Sequence, residues 1–247
     1  MSVAVIVPTY NEANNIKKLI EEILKRLRKD DKVIIVDDNS PDGTAKAAKS
    51  LSKNLKNLYV IKRKGKGGRG SAVFEGFKMA KGFKCDYYIE MDADFSHKPE
   101  DITRLIYSIK KNKDIIIGSR YLKGSKIIGW PSQRKIFSKL ANIYAKAILS
   151  VPISDYTNGF RIYSKRAVDF LLERELISTG YILLSETAYL LYKAKYVFDE
   201  IPIEFINRER GQSNTNLSEI KNAFWGVFKI RLKNKNLFRA RKPRPSV

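Results

Sequence analysis

Apolar residues in this chain fall into short unbroken runs, separated by stretches in which they recur every three or four positions. Val3-Ala4-Val5-Ile6-Val7-Pro8 is the first run. A strand covered on both faces has this form, because neither face needs to be polar. Lys32 to Asp37, Leu58 to Ile61, Tyr87 to Met91 and Asp114 to Gly118 repeat it. Between them, Ile16, Leu19, Ile20, Ile23, Leu24 and Leu27 return at helical spacing. Further helices are predicted from Thr44 to about Leu51, from about Ser71 to Gly82, and after Pro99-Glu100-Asp101. Strand and helix in alternation predict an α/β fold with a doubly wound, mostly parallel sheet flanked by helices.

The pattern changes after residue 120. Residues 134–150 read as an amphipathic helix with Ile136, Phe137, Leu140, Ile143, Tyr144 and Leu149 on its apolar face. Asp155 to Tyr163 reads as a polar turn entering a short strand. Ser185 to Ala194 is a second apolar helix containing one acid, Glu186, and Val197 to Asn207 is a strand pattern interrupted by Pro202. From Ile220 onward the chain carries nine basic residues and no acid. Phe224, Val227, Phe228 and Leu232 share one predicted helix face there. That composition suits a basic amphipathic helix on an anionic membrane. It equally suits a helix packed on the domain and followed by a basic tail. The expected division is a catalytic domain over 1–218 and a basic amphipathic, membrane-proximal tail over 219–247.

Composition narrows the partners. The 247 residues suit one α/β domain, or one domain with a small appendage. With 48 Lys+Arg against 26 Asp+Glu, the net charge is +22, which points to an anionic partner: nucleic acid, an anionic membrane or a phosphorylated substrate. The single cysteine, Cys85, excludes an intramolecular disulfide and a multi-cysteine zinc site. No apolar run reaches eighteen residues and no signal sequence opens the chain, so a cytosolic location is expected.

The candidate chemistry lies at strand ends. Asp92 and Asp94 close the Tyr87–Met91 run, and residues at i and i+2 lie on one side of an extended chain. Two such carboxylates repel unless a cation sits between them. A hard divalent ion shared with substrate phosphates meets that need. Two solvated loop aspartates would look the same in isolation. However, Glu12, Asp37, Asp38, the basic glycine-rich loop Gly65–Gly70 and Arg120 also fall at predicted strand ends, where ligands of such sheets bind. The glycine-rich loop lacks the Gly-Lys-Ser/Thr ending of a P-loop, which excludes that class of nucleotide triphosphatase. No recognised nucleic-acid motif appears, so nucleic acid is not the expected partner.

Four segments occur in order: Val7-Pro8-Thr9-Tyr10-Asn11-Glu12, Asp37-Asp38-Asn39-Ser40-Pro41-Asp42-Gly43-Thr44, Asp92-Ala93-Asp94 and Gly118-Ser119-Arg120-Tyr121. They resemble the inverting glycosyltransferases of family 2, which have the GT-A fold. Asp92 to Pro99, Thr157-Asn158-Gly159-Phe160-Arg161 and Arg208-Glu209-Arg210-Gly211-Gln212-Ser213 are similar to the dolichyl-phosphate (polyprenyl-phosphate) mannose synthases within it. The resemblance covers about residues 3–215.

It implies a donor nucleotide sugar, GDP-mannose, bound by Pro8, Tyr10, Glu12, Asp38 and Asp92. It implies Mg²⁺ or Mn²⁺ held by Asp92 and Asp94 with help from Ser96, where some relatives have Gln. It implies a dolichyl or polyprenyl phosphate acceptor held by Arg120, Arg134, Ser138 and Arg208, with Asp92, Asp94, Arg120 and Arg208 as the catalytic set. His97, the only histidine, reads as a structural residue behind these. The expected enzyme is a hexosyltransferase, peripheral on the cytosolic membrane face, with room for a small membrane subunit as partner. A UDP-glucose-dependent sibling is the alternative within the family, and a basic nucleic-acid-binding protein the alternative outside it.

Overall fold

The computed structural model describes residues 1–109, 113–178, 180–207 and 217–234, the last segment by backbone alone over 217–223. Its first half alternates as the apolar runs require: β1 (Val3–Thr9), α1 (Ile16–Leu24), β2 (Lys32–Asp37), α2 (Thr44–Ser52), β3 (Leu58–Lys62), α3 (Arg69–Gly82), β4 (Tyr87–Glu90), α4 (Glu100–Tyr107) and β5 (Ile115–Ser119). Then follow β6 (Lys126–Ile128), α5 (Ser132–Leu149), β7 (Arg161–Ser164), α6 (Lys165–Leu172), α7 (Ile182–Lys193), β8 (Phe198–Pro202), β9 (Glu204–Ile206) and α8 (Leu217–Lys233).

Seven strands form one sheet in the order β3-β2-β1-β4-β7-β5-β8. All pairs are parallel except those of β7, which runs antiparallel between β4 and β5. β1 explains why the strands read as unbroken apolar runs. Ala4 and Ile6 pack into one buried layer, while Val3, Val5 and Val7 pack into the other. α1, α2 and α4 cover one face; α3, α5, α6, α7 and α8 cover the other.

Three expectations are corrected. The strand expected over 197–207 breaks at Ile203 into β8, in the main sheet, and β9, which pairs with β6 in a separate ribbon. The apolar face expected for α5 is divided. Leu149 is buried beside Asn142 and Ala145, and Tyr144 packs against the core, whereas Ile136 is 60%, Leu140 57% and Ile143 55% exposed. The face expected over 224–232 is likewise divided. Val227 and Ile230 are buried in the core layer, while Phe224, Phe228 and Leu232 point outward beside Trp225, itself 63% exposed. α8 is therefore a docked helix with an apolar outer side. Tyr144 of α5 ties it down, donating its hydroxyl to the Phe224 carbonyl at 3.1 Å.

Candidate active site

β1, β2 and β4 are parallel, so their carboxyl ends open on one edge of the sheet. Three cavities border Asp94 there, and two of them are lined by the expected site residues. The first, of 190 Å³, is lined by Pro8, Tyr10, Glu12, Asp38, Asp92 and Asp94, which include every residue expected to bind the donor. The second, of 270 Å³, is lined by Arg120, Arg134 and Ser138, with Ser96, Asp92 and Asp94. The two cavities share Asp92, Asp94 and Tyr181. The expected donor and acceptor groups are thus separate, and the acid pair forms the wall between them. Arg208, the remaining expected acceptor residue, lies outside the described residues.

The backbone at the acid pair is built to a defined shape. Phe95 adopts φ 58°, a left-handed conformation uncommon for a bulky side chain and costing on the order of 1–3 kcal/mol. The Ser96 N–H donates to Asp94 Oδ1 at 3.0 Å, which closes the turn. His97 lies fully buried behind it. It is stacked on Phe160 with ring centroids 5.1 Å apart, and its Nε2 is 2.7 Å from Asn158 Oδ1. Its Nδ1 is 3.9 Å from Asp92 Oδ2 and has no hydrogen-bond partner among the described residues. The Asn158 and Phe160 contacts tie His97, and with it the turn after Asp94, to the Thr157–Arg161 segment.

Asp38 lines the first cavity, but its carboxylate is engaged by the protein. Oδ2 accepts the N–H groups of Gly67 at 3.1 Å and Gly68 at 2.6 Å, and Oδ1 accepts the Arg63 guanidinium. Gly68 needs its freedom, with φ 86° as the residue capping α3. The basic glycine-rich loop is therefore folded onto Asp38 and forms part of the cavity rather than a solvated arm. It also brings Lys66 Nζ to 3.9 Å from the Tyr10 ring centre, over the same cavity.

In the second cavity Arg120 stacks near Trp130 and Phe205, with centroid distances of 5.5 and 5.2 Å. It is held by Asp155 through two hydrogen bonds, of 2.7 and 2.8 Å. Burial lowers the Arg120 pKa, but Asp155 more than offsets this and holds it above the usual guanidinium range. Arg134 lies 4.1 Å over Trp130 and donates to Asn207 Oδ1 at 3.2 Å. The Ser138 hydroxyl accepts the Tyr121 O–H at 2.6 Å. Two arginines and a hydroxyl on apolar walls suit a phosphate on an apolar stem.

Some residues of the site carry no sequence signal of their own. Trp130, Tyr181 and Phe205 line the second cavity but look like ordinary core aromatics. Arg69 donates to Asp92 Oδ1 at 2.6 Å and to Glu90 Oε2 at 3.1 Å. In the sequence it is one more cation in a basic loop. Burial pushes the Asp92 carboxyl up, yet Arg69 outweighs it and leaves the pKa below the usual carboxylate range.

Comparison with known proteins agrees with this geometry. The profile of glycosyl transferase family 2 matches residues 4–172. Polyprenol monophosphomannose synthase of Mycolicibacterium smegmatis is 33% identical over 229 residues, covering 90% of this chain and 86% of that protein. Dolichol-phosphate mannosyltransferase of Pyrococcus furiosus is 41% identical over 217 residues, covering 86% of this chain but 59% of that protein. Among solved structures, glucosyl-3-phosphoglycerate synthase from Mycobacterium tuberculosis, in complex with Mn²⁺, UDP-glucose and phosphoglyceric acid, matches with a TM-score of 0.67 at 15% identity. The match covers 95% of this chain and 80% of that one. Mannosyl-3-phosphoglycerate synthase from Rubrobacter xylanophilus matches with a TM-score of 0.66 at 16% identity, over 99% and 77%. These structures show the fold, which is of the GT-A type. The chain belongs to glycosyl transferase family 2.

Proposed function

We propose that the protein transfers mannose from GDP-mannose to dolichyl (polyprenyl) phosphate, with inversion at the anomeric carbon, at the cytosolic face of a membrane. One observation carries this reading: a cavity lined by the expected donor residues and a cavity lined by Arg120, Arg134 and Ser138 meet at Asp92 and Asp94. The sugar and the lipid are supported by the mannose-transferring relatives named above.

A divalent ion, Mg²⁺ or Mn²⁺, fits the residues present. Asp92, Asp94 and Ser96 offer hard oxygen donors beside the donor cavity. Among the described residues, no cluster of three or more acid, histidine or cysteine side chains could hold an ion by itself. That suits an ion which takes one or two carboxylates and completes its shell with substrate phosphates and water. When bound, it supplies neutralisation of the charge that develops on the departing diphosphate.

The protein's own groups do the rest. Pro8, Tyr10 and Glu12 shape the nucleotide's side of the wall. Arg120, Arg134 and Ser138 aim a phosphate oxygen at the anomeric carbon from the opposite side. The phosphate monoester is already an anion near neutral pH, so orientation matters more than a general base. Its oxygen forms the new bond to the anomeric carbon while the bond to the nucleoside diphosphate breaks. The electron pair leaves with the diphosphate, and configuration inverts.

The outward apolar residues of α5 and α8 support the membrane location. Phe137, Ser138 and Ala141 of α5 line the acceptor cavity, while Ile136, Leu140 and Ile143 are exposed. Lys135, Lys139, Lys146, Lys229 and Lys233 lie on the same two helices. An exposed apolar patch flanked by cations fits an anionic bilayer. Among the described residues no helix is long and apolar enough to cross a membrane.

The test is transfer of labelled sugar into an organic-extractable product, with GDP-mannose or UDP-glucose as donor, with and without chelator. Chelator-sensitive transfer from GDP-mannose is expected. Transfer from UDP-glucose alone would reassign the donor.

A further inference from the structure

Arg69 opens α3 and sits at the base of the wall between the two cavities, with its side chain only 15% exposed. Its three bonded nitrogens have three different partners. Nε donates to Asp92 Oδ1 at 2.6 Å, Nη1 to Glu90 Oε2 at 3.1 Å and Nη2 to the Gly159 carbonyl at 3.1 Å. The other Glu90 oxygen accepts the Tyr163 O–H at 2.7 Å. One buried guanidinium therefore serves both Glu90, the last residue of β4, and Asp92, two residues beyond it. Space for it is left by Gly159, where a Cβ would overlap the guanidinium nitrogens. The glycine of the Thr157–Arg161 segment thus has a steric role at this point.

A carboxylate already paired with a guanidinium is a poor ligand for a free dication. The ion must displace or tolerate a fixed positive charge beside its own ligand. At an effective dielectric near 20, a unit charge within about 5 Å changes the binding of a dication by well over tenfold. The diphosphate of a donor reverses the balance, because it adds negative charge and several oxygen ligands at once.

We propose that Arg69 is the resident counter-cation of Asp92: it positions that carboxylate and keeps a free divalent ion off the site until a nucleoside diphosphate arrives with it. The inference rests on the metal-assisted reading given above. It makes Arg69 a positioning residue, and it makes ion and diphosphate enter together.

The test is calorimetric titration of Mn²⁺ into the protein, alone and saturated with GDP or UDP, for the wild type, Arg69→Gln, Arg69→Lys and Gly159→Ala. The wild type is expected to bind free Mn²⁺ at least tenfold more weakly than it does with a nucleoside diphosphate present. Arg69→Gln is expected to bind free Mn²⁺ at least tenfold more tightly than the wild type. Arg69→Lys keeps the charge and loses the fork, so its free-ion affinity stays low while kcat falls. Gly159→Ala displaces the guanidinium without removing a charge, and gives the gain of binding even if Arg69→Gln does not fold. A purely architectural residue would leave ion binding unchanged or weaken it. Unchanged or weaker free Mn²⁺ binding in folded Arg69→Gln and Gly159→Ala, with diphosphate-dependent binding intact in the wild type, would overturn the inference alone. No Mn²⁺ binding to the wild type with either nucleotide would overturn the metal-assisted reading and this inference together.

Discussion

Asp155 grips Arg120 side-on: Nε is 2.7 Å from Oδ2 and Nη2 is 2.8 Å from Oδ1, with both side chains buried. The same carboxylate accepts the backbone N–H groups of Arg120, Thr157 and Asn158 at 3.1, 3.2 and 3.1 Å. One acid therefore sets both the arginine of the acceptor cavity and the turn that leads to Gly159. Removing one partner of a buried pair leaves an uncompensated charge. Asp155→Asn is expected to lower stability by about 3–5 kcal/mol in urea unfolding. Its kcat/KM for the lipid phosphate is expected to fall by more than tenfold, even at temperatures where the variant is folded.

The acceptor cavity can be separated from the donor cavity by kinetics. Arg134→Ala and Ser138→Ala each remove a polar group from one cavity only. A charge-assisted hydrogen bond contributes roughly 1.5–3 kcal/mol. Arg134→Ala is expected to raise KM for the lipid phosphate about tenfold or more, with KM for the nucleotide sugar within about twofold of wild type. Ser138→Ala should show a smaller effect of the same kind. A rise confined to the donor KM would move both residues out of the acceptor role.

Stability should fall at both ends of the pH range. Burial raises the Asp155 pKa, but Arg120 outweighs it and leaves the folded value below the usual one. Its stabilisation is present above about pH 4, near the unfolded pKa, and is lost as pH falls through the folded value. Burial pushes the Tyr88 hydroxyl up to about 12, and Tyr163 and Tyr156 higher still. Their contribution is present below about pH 10 and lost as pH rises toward the folded values. Urea midpoints at pH 3, 7 and 11 are expected to be highest at pH 7. The Tyr88 hydroxyl is also buried with no hydrogen-bond partner among the described residues. Tyr88→Phe is therefore expected to be neutral or to stabilise by up to about 1 kcal/mol, and to reduce the alkaline loss.

The outward row of α5 gives a prediction independent of the chemistry. Ile136→Ser, Leu140→Ser and Ile143→Ser combined remove exposed apolar area and no core contact. The triple variant should keep the wild-type unfolding free energy, measured in urea, within about 0.5 kcal/mol. Co-sedimentation with vesicles containing anionic lipid should fall at least tenfold. Unchanged co-sedimentation would detach α5 from the membrane reading.

The sequence carried the sheet and the acid pair because their signals are local. β1 and β2 are unbroken apolar runs because both of their faces are covered. Asp92 and Asp94 stand at i and i+2 just past such a run. The orientation of α5 was not legible, since periodicity marks an apolar face without saying what covers it. The three-residue strand β6 is too short to show a period. α6 buries only Ala167, Val168 and Leu171, and its cap, Ser164, accepts the Ala167 N–H at 3.3 Å through a hydroxyl that looks like any other serine. Arg69 was hidden for a different reason: its partners are 21, 23 and 90 residues away. Nothing near it in the chain distinguishes a clamp from a solvated cation.

In the proposed reaction sugar crosses the wall formed by Asp92 and Asp94, from a nucleotide on one side to a lipid phosphate on the other. The most direct measurement is single-turnover transfer of labelled mannose from GDP-mannose to a polyprenyl phosphate in vesicles, comparing the wild type with Asp94→Ala. Asp94 carries no core packing, so the variant should fold. The expected result is wild-type transfer to a β-linked product from the α-linked donor, and a loss of at least a thousandfold in Asp94→Ala. Transfer by Asp94→Ala at a rate near the wild type's, or an α-linked product, would contradict the account.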